Sequence, residues 1–165
     1  TDHFKKINET HGHAAGDEVL QELCARVMKG VCSFDTVARY GGEEFVVVMP
    51  ETDMGVATTV AEGLRHGVAD QPFTAITADQ KLEVTISIGV AEVDVTGGET
   101  TTSLINRADK ALYVAKSKGR NRVMCWSVDG ILDPTGPLRV TIPKNTVPAI
   151  RTIKMPPQEA AFVTR

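Results

Sequence analysis

The chain of 165 residues is long enough for one domain with a hydrophobic core, since 42% of its residues are hydrophobic. Its net charge of −3 gives no general basic field, which argues against nucleic acid as a partner. No apolar run approaches the roughly 20 residues of a membrane span, and no signal-peptide pattern opens the chain. Cys24, Cys32 and Cys125 lack zinc or redox spacing, so we expect buried thiols in the reducing cytoplasm.

The first part of the chain predicts helices followed by a hairpin. Residues 14–31 place apolar side chains on one stripe at helical spacing: Val19, Leu20, Leu23, Cys24, Val27, Met28 and Val31. The stretches "TVARY" and "GGEEFVVVM" then predict two strands joined by a Gly-Gly tip. Because Phe45–Val48 is apolar on both faces, the second strand should be central and covered on both sides.

A helix and a strand are predicted next. "TDMGVATTVAEGLRHGV" predicts a helix that is capped by Thr52 or Asp53, with Val56, Val60 and Leu64 facing inward. "KLEVTISIGVAEV" alternates between apolar and polar residues, which predicts a half-buried strand. Its inward residues would be Val84, Ile86, Ile88 and Val90.

The last predicted helix lies in "TTSLINRADKALYVAKSKGRN" and is closed by Gly119. Its apolar stripe consists of Leu104, Ile105, Ala108, Ala111, Leu112 and Ala115. "RVMCW" predicts a short strand, which completes an α/β sandwich with a mixed sheet. Residues 127–165 hold most of the prolines and show no sustained period, so they predict an extended tail or linker, with one candidate strand at Leu138–Ile142.

Adjacent acidic residues stand beside the predicted hairpin tip, in "ARYGGEEFVVVMP". If the strand has begun there, Glu43 and Glu44 point to opposite faces, so that one can ligate a divalent cation while the other has a separate task. Gly41 and Gly42 lack side-chain bulk and would let a phosphate or base approach the backbone. The alternative is a plain exposed tip with solvated carboxylates.

A second polar cluster, in "FKKINETHGHAAGDEVL", favours the nucleotide interpretation. An amide at Asn8 and a carboxylate at Asp17 are suited to reading a guanine edge, although Asp17 is equally consistent with a first-turn carboxylate favoured by the helix dipole. His11 and His13 are poorly spaced for a shared metal, and no further His or Cys lies near them in sequence.

Four ordered motifs carry a resemblance to a known family: "DHFKKINETHGHAAGDEVL", "RYGGEEF", "TISIGVA" and "ADKALYVAKSKGRNRV". The chain from Thr1 to about Val123 resembles the GGDEF-domain family, the diguanylate cyclases. The resemblance implies a ferredoxin-like sandwich of the nucleotide-cyclase palm type. It also implies condensation of two GTP into cyclic di-GMP with release of two pyrophosphates, by two domains facing each other as a homodimer, under an upstream regulatory domain.

The resemblance also implies roles for individual residues. Glu43 and the backbone carbonyl of Thr1 would bind Mg²⁺, and Glu44 would accept the proton of the GTP 3′-hydroxyl. The substrate-binding residues would be Lys5, Asn8, His13, Asp17, Gly41, Gly42, Lys116 and Arg120. Of these, Asn8, His13 and Asp17 would line the guanine pocket, while Lys5, Lys116 and Arg120 would contact the phosphates.

The chain departs from the family pattern in three places. The first Asp of the family's D-x-D motif, with its central first strand and the helices before it, would precede Thr1, so residues 1–126 are expected to be an N-terminally incomplete domain, inactive and unstable by itself. Cys32 stands where many members carry the arginine of an inhibitory product site. Asp35 of that site remains, so we expect weak or absent product inhibition. Glu9 replaces the usual Asp after Asn8, a change that should be tolerated.

The sequence leaves two alternatives to the cyclase. A catalytically silent relative would bind GTP or serve as an interaction surface, and a generic ferredoxin-like scaffold would bind nothing. Silent relatives usually lose the glycines or acidic residues of the turn, whereas Gly41–Phe45 is intact here. The intact turn favours the enzyme.

Overall fold

A computed structural model describes residues 1–75, 80–135 and 159–164 of the chain. The helices are α1 (Phe4–Lys29), α2 (Met54–Ala69) and α3 (Thr101–Ser117). The strands are β1 (Thr36–Gly41), β2 (Glu44–Pro50), β3 (Phe73–Ala75), β4 (Gln80–Leu82), β5 (Ile88–Glu92), β6 (Val123–Ser127), β7 (Gly130–Leu132) and β8 (Glu159–Thr164).

In the described part of the chain, six strands form one sheet in the order β1-β2-β8-β5-β6-β7. The β5–β6 pair is parallel and every other neighbouring pair is antiparallel, so the sheet is mixed, as predicted. Strands β3 and β4 form a separate antiparallel hairpin. Because β2 and β5 each pair with β8, this C-terminal strand is what joins the two halves of the sheet.

The sheet is covered on both faces, and the alternation along β2 shows how. Phe45 and Val47 pack into a cluster with the buried side chains of α1 and α2, while Val46 packs into a second cluster with Leu104 and Leu112 of α3. Successive strand residues point to opposite faces, so a strand that is apolar throughout has to lie between two helical layers. The predicted α/β sandwich, with a central and doubly covered second strand, is confirmed.

Helix α1 contains most of the helix predicted over residues 14–31 and begins earlier, at Phe4. Gly12 has φ 85° and ψ 162°, a non-helical conformation that bends the helix between its two halves. Most of the predicted stripe is buried, but Met28 is 62% exposed, contrary to the prediction. Val27 takes the inward position, and the turn of about 100° per residue carries Met28 out to solvent.

Helix α2 begins after Asp53, whose side chain accepts a hydrogen bond from the backbone N–H of Val56 at 2.8 Å. The inward face differs from the prediction, because Val56 is 53% exposed. The buried residues of this helix are Ala57, Ala61, Leu64 and Val68. Ala57 and Ala61 are fully buried, so this helix packs partly through small side chains, whereas the spacing of the larger apolar residues predicts another face.

The predicted half-buried strand over residues 81–93 is shorter and more buried than expected. Only Ile88–Glu92 is paired in the main sheet, while residues 83–87 lead into it without ladder pairing. The predicted inward residues are buried, but Ser87 and Ala91 on the other face are fully buried as well. The prediction failed on this face because α3 covers it, which alternation alone cannot reveal.

The region after Trp126 contains two strands of the sheet, β7 and β8, where the sequence predicts a tail or linker. The candidate strand at Leu138–Ile142 lies outside the described residues. Cys125 is buried as expected, whereas Cys24 is half-buried and Cys32 is exposed. None of the helices in the described ranges is long and apolar enough to cross a membrane.

Candidate functional site

Two adjoining pockets open beside the β1–β2 turn, and they share Phe4, Lys5, Glu9 and Glu43. The first, which we name the Lys116 pocket, is further lined by Thr1, Asp2, His3, Lys6, Lys116 and Arg120. The second, the Asn8 pocket, is further lined by Asn8, His13, Asp17, Leu20, Arg39 and Gly42. Lys116 and Arg120 therefore line one pocket, amide, imidazole and carboxylate groups line the other, and Glu43 lines both.

The turn that carries Glu43 is tighter than the sequence suggests. Gly41 pairs with Glu44, so the two-residue tip is Gly42–Glu43 rather than Gly-Gly. Gly42 has φ 42°, in the left-handed region favoured at such a tip. Arg39 donates a hydrogen bond from Nε to the carbonyl of Gly42 at 2.8 Å, and this bond helps to hold the tip in place.

The structure places the two glutamates in different surroundings. Glu43 lies at the tip and lines both pockets, whereas Glu44 begins β2, is half-buried and is absent from the lining of either pocket. The position of a Cβ built on Gly41 lies 3.9 Å from Glu44 Oε2, so the Glu44 carboxylate leans toward the β1 side of the hairpin. Gly41 also lines neither pocket, in contrast to Gly42.

Thr1 is held against the turn. Its amino group donates to the backbone carbonyl of Glu43 at 3.2 Å, and Thr1 is only 1% exposed. The two residues expected to bind a metal are therefore neighbours. Within the described ranges, no group of three or more His, Cys, Asp or Glu side chains could hold a metal ion by itself.

Asp2 is a buried carboxylate that the sequence analysis did not identify. It is 4% exposed and accepts hydrogen bonds from the hydroxyls of Thr85 and Ser87, both at 2.8 Å, and from the backbone N–H of Asn121 at 3.1 Å. Asp2 therefore ties the start of α1 to the segment before β5 and to the loop after α3. The signal that could have found it is an acidic residue beside "TISIGVA", which offers hydroxyl donors on one face of an apolar segment.

We expect Asp2→Ala to lower stability and nucleotide affinity together. The substitution leaves three donors without their acceptor, and a buried donor without a partner costs about 1–3 kcal/mol. Urea unfolding and GTP titration would measure both effects. Asp2→Asn retains one acceptor oxygen and should recover much of the loss, while Asp129→Ala, at an exposed position, should be neutral. Unchanged unfolding of Asp2→Ala would contradict this role.

Lys116 and Arg120 reach their pocket from the end of α3 and the loop after it. Burial lowers the pKa of Lys116, although the nearby Glu43 and Asp2 carboxylates act in the opposite direction. Arg120 has φ 63° and Asn121 φ 45°, a conformation uncommon for residues other than glycine. The hydrogen bond from Asn121 to Asp2 holds this loop and so places the Arg120 side chain at the pocket.

The Asn8 pocket depends on Gly16, which lies eight residues further along α1, beyond the bend at Gly12. Asn8 Oδ1 is buried and has no hydrogen-bond partner among the described residues. A Cβ on Gly16 would lie 1.8 Å from this oxygen and 3.0 Å from Asn8 Cγ. Gly16 therefore makes room for the Asn8 amide, and the unpaired oxygen points to a ligand that donates hydrogen bonds there.

Gly16→Ala should displace the Asn8 amide and weaken guanine-nucleotide binding by about tenfold, the loss of roughly one hydrogen bond. Titration with a fluorescent GTP analogue would measure the effect. Gly67→Ala is the matched control, because a Cβ at this position of α2 meets nothing within 4 Å. Equal affinities for Gly16→Ala and the control would show that Asn8 does not contact the base.

The remaining candidate residues are the two histidines, Asp17 and Lys5. His13 lines the Asn8 pocket, whereas His11 lines another pocket with Asp2 and Lys81, so the two histidines do not form a metal pair. Asp17 lies in the second turn after the Gly12 bend, which disfavours the first-turn alternative. Lys5 borders both pockets and forms an exposed ion pair with Glu9 at 3.6 Å, a contact of little energetic weight.

Comparison with known proteins identifies the family of the chain. The family model described as "Diguanylate cyclase, GGDEF domain" matches residues 1–122. The chain is 48% identical over 123 residues to the response regulator PleD of Caulobacter vibrioides, covering 74% of this chain and 27% of that protein. It is 46% identical over 122 residues to diguanylate cyclase A of Treponema denticola, covering 74% and 32% respectively.

Solved structures give the same result. The GGDEF domain of DgcB from Caulobacter crescentus, in complex with c-di-GMP, matches with a TM-score of 0.71 and 37% identity, over 75% of this chain and 72% of that chain. The active GGEEF domain of a diguanylate cyclase from Vibrio cholerae matches with a TM-score of 0.69 and 33% identity, over 76% and 78%. The chain belongs to the GGDEF-domain family, whose enzymes are diguanylate cyclases, and it spans about a quarter to a third of the two curated relatives above.

Proposed function

We propose that the chain is the GTP-binding and catalytic part of a diguanylate cyclase. The observation that carries the proposal is the junction of the two pockets at Glu43, with Lys5, Lys116 and Arg120 on one side and Asn8 and Asp17 on the other. A triphosphate in the Lys116 pocket would neutralise its cations. The guanine would then reach the Asn8 pocket, where amide and carboxylate groups match its edge.

The donor set at the turn fits Mg²⁺ in part. Mg²⁺ is usually held by one or two carboxylates together with nucleotide phosphates and water, and the Glu43 carboxylate with the Thr1 carbonyl supplies such a partial set. When bound, the ion would neutralise charge that develops on the reacting phosphate. The chain's own cations at Lys5, Lys116 and Arg120 hold the remaining phosphate charge and fix the nucleotide in line.

Glu44 has its proposed role only when two domains face each other. It lies outside both pockets of its own chain, so the 3′-hydroxyl whose proton it accepts has to be presented at the β1 side of the hairpin. In the homodimer that we propose, each GTP places its 3′-hydroxyl against the α-phosphate of the other. Release of two pyrophosphates then closes the cyclic dinucleotide.

A second candidate is a silent module that binds GTP without turning it over. It is favoured by the Asn8 pocket, which is lined by residues of one chain, whereas the cyclase also needs a second domain. The two functions differ in one measurement. The cyclase predicts magnesium-dependent formation of cyclic di-GMP from GTP by the longer parent protein, whereas the silent module predicts GTP binding alone.

The test therefore has two arms. GTP binding is measured on the 165-residue chain by calorimetry, and product formation on the longer parent protein by chromatography with GTP and Mg²⁺. Binding in the first arm with product in the second supports the cyclase, and binding without product supports the silent module. If GTP does not bind, or ATP binds equally well, the guanine pocket is wrong.

The pH dependence of GTP binding should reveal the contribution of the Lys116 charge. Phosphate binding needs the ammonium form, and the pKa of Lys116 is lowered by burial, so affinity is complete below this pKa and falls as the pH rises through it. Lys116→Arg stays charged throughout and is the matched control. The ratio of the two affinities, measured from about pH 7 to about pH 10, cancels ionisation of the nucleotide itself. A constant ratio would contradict the prediction.

The proposal extends to how the enzyme is regulated and where in the cell it lies. The solved complex of diguanylate cyclase SiaD with its activator SiaC from Pseudomonas aeruginosa supports control by a partner, and the family resemblance implies an upstream regulatory domain. Weak product inhibition remains a prediction: Cys32 is exposed, and its backbone N–H donates to Asp35 at 2.7 Å, so the Asp35 carboxylate is partly engaged. We place the protein in the cytoplasm, where its nucleotide substrate is found.

A further inference from the structure

The loop after α3 holds Arg120 in a conformation that residues other than glycine rarely adopt. Three consecutive residues have a positive φ: Gly119 at 109°, Arg120 at 63° and Asn121 at 45°. Such a conformation persists only where surrounding contacts hold it, because other backbone angles are otherwise preferred. The contacts of this loop therefore decide where the Arg120 side chain lies.

Two backbone hydrogen bonds hold part of the loop. The N–H of Arg120 donates to the carbonyl of Ala115 at 3.1 Å, which ties the loop to the last turn of α3. The N–H of Asn121 donates to the carboxylate of Asp2 at 3.1 Å. These bonds engage the backbone, so the orientation of the Asn121 side chain depends on a further contact.

Arg65 of α2 makes that further contact. Its Nη1 donates to Asn121 Oδ1 at 2.9 Å, although the two residues are 56 positions apart in the chain. The same guanidinium donates from Nε to Glu62 Oε2 at 2.8 Å, and its Nη2 lies 2.7 Å from His66 Nε2. Neighbours on its own helix therefore aim the guanidinium at the loop. Arg65 lines neither the Lys116 pocket nor the Asn8 pocket.

We infer that Arg65 is a positioning residue for the Arg120 side chain and acts through Asn121. The inference rests on the proposed function, in which Arg120 contacts phosphate in the Lys116 pocket. Without the bond from Arg65, the Asn121 side chain is released in a strained stretch of backbone. The loop then relaxes toward ordinary backbone angles and carries Arg120 away from the pocket.

Arg65→Met tests the inference, because it removes the donors and keeps most of the apolar stem. GTP affinity of the chain should fall about fivefold to tenfold, the loss of roughly one hydrogen bond. Guanosine, which has no phosphate, should bind as it does to the unchanged chain. Asn121→Gly tolerates the positive φ and removes the acceptor, so it should reproduce both results without altering α2. Unchanged GTP affinity in both variants would overturn the inference.

Arg26→Met is the matched control for a loss of general stability. The Arg26 side chain is 15% exposed, against 14% for Arg65, and it lines neither pocket. It donates to backbone carbonyls at 2.6–3.3 Å, those of Gly67, Val68, Gln71 and Pro72. The control should lower the urea midpoint at least as much as Arg65→Met and leave GTP affinity unchanged. Equal losses of affinity in the two variants would contradict a positioning role.

A double-mutant cycle separates this inference from the proposed function. If Arg65 acts through Arg120, Arg65→Met should cause no further loss of GTP affinity in a chain that already carries Arg120→Met. Additive losses would overturn the inference. If Arg120→Met alone leaves the affinity unchanged, the proposed phosphate contact is wrong, and hydrogen exchange of the Asn121 amide in the ligand-free chain decides the inference. Exchange about tenfold faster in Arg65→Met supports it, and an unchanged rate overturns it.

Discussion

Gly89→Ala is expected to destabilise the domain by about 3 kcal/mol, at the upper end of the costs of overpacking. A Cβ on Gly89 would lie 2.0 Å from the carbonyl oxygen of Ala108 and 2.4 Å from the backbone nitrogen of Leu112. These are backbone atoms of α3, which cannot rotate away as a flexible side chain can. The helix must move off the sheet, and the Lys116 side chain near its end must move with it.

Gly63→Ala is the matched control for this substitution. Gly63 lies in the interior of α2, and a Cβ there meets nothing within 4 Å. The control should stabilise the domain by up to about 1 kcal/mol, because alanine favours the helix over glycine. Urea unfolding of both variants measures the difference. Equal unfolding midpoints for the two variants would show that α3 does not approach β5 as closely as described.

The second large effect is expected from Glu43→Gln. The substitution keeps the size of the side chain and removes the charge at the junction of the two pockets, so the dependence of GTP affinity on Mg²⁺ should disappear. Product formation by the longer parent protein should fall by about 100-fold or more, the order of effect of losing one electrostatic stabiliser. Calorimetry with and without Mg²⁺, followed by a turnover assay, measures both losses.

Glu44→Gln distinguishes the two neighbouring carboxylates. Glu44 lines neither pocket, so this variant should bind GTP and Mg²⁺ as the unchanged chain does and yet form no product. If Glu44→Gln abolished the Mg²⁺ dependence instead, the roles of the two residues would have to be exchanged. If Glu43→Gln retained that dependence, the metal would lie elsewhere.

Local sequence patterns predict the fold well where the residues of a single helix or strand show which of its faces must be buried. The apolar run Phe45–Val48 had to be covered on both faces, and the helix over residues 101–117 showed its inward stripe directly. The pattern of one helix does not show which of its apolar side chains a neighbouring helix or strand will cover. Met28 and Val56 looked inward by spacing and are exposed, because neighbouring positions of their helices make the contacts with the core.

The candidate site was predictable to the extent that residue chemistry and family motifs determine it. The cationic, carboxylate and amide residues were found from sequence, and the structure groups most of them in two adjoining pockets. The sequence does not reveal Asp2 and Gly16 because each acts through residues that the fold brings close. Asp2 accepts hydrogen bonds from donors distant in the chain, and Gly16 leaves space for a side chain on the other side of the Gly12 bend. Such roles depend on three-dimensional proximity, which residue spacing does not specify.

The bend at Gly12 has a consequence for base selectivity. Asn8 and Asp17 belong to the two halves of α1 on either side of this bend, and the second half is anchored in the core by Val19 and Leu23. Under the proposed function, a purine held by both side chains would span a joint rather than a rigid rod. Substitutions that alter the angle of this joint would retune discrimination between guanine and adenine while leaving the grip on the phosphates intact.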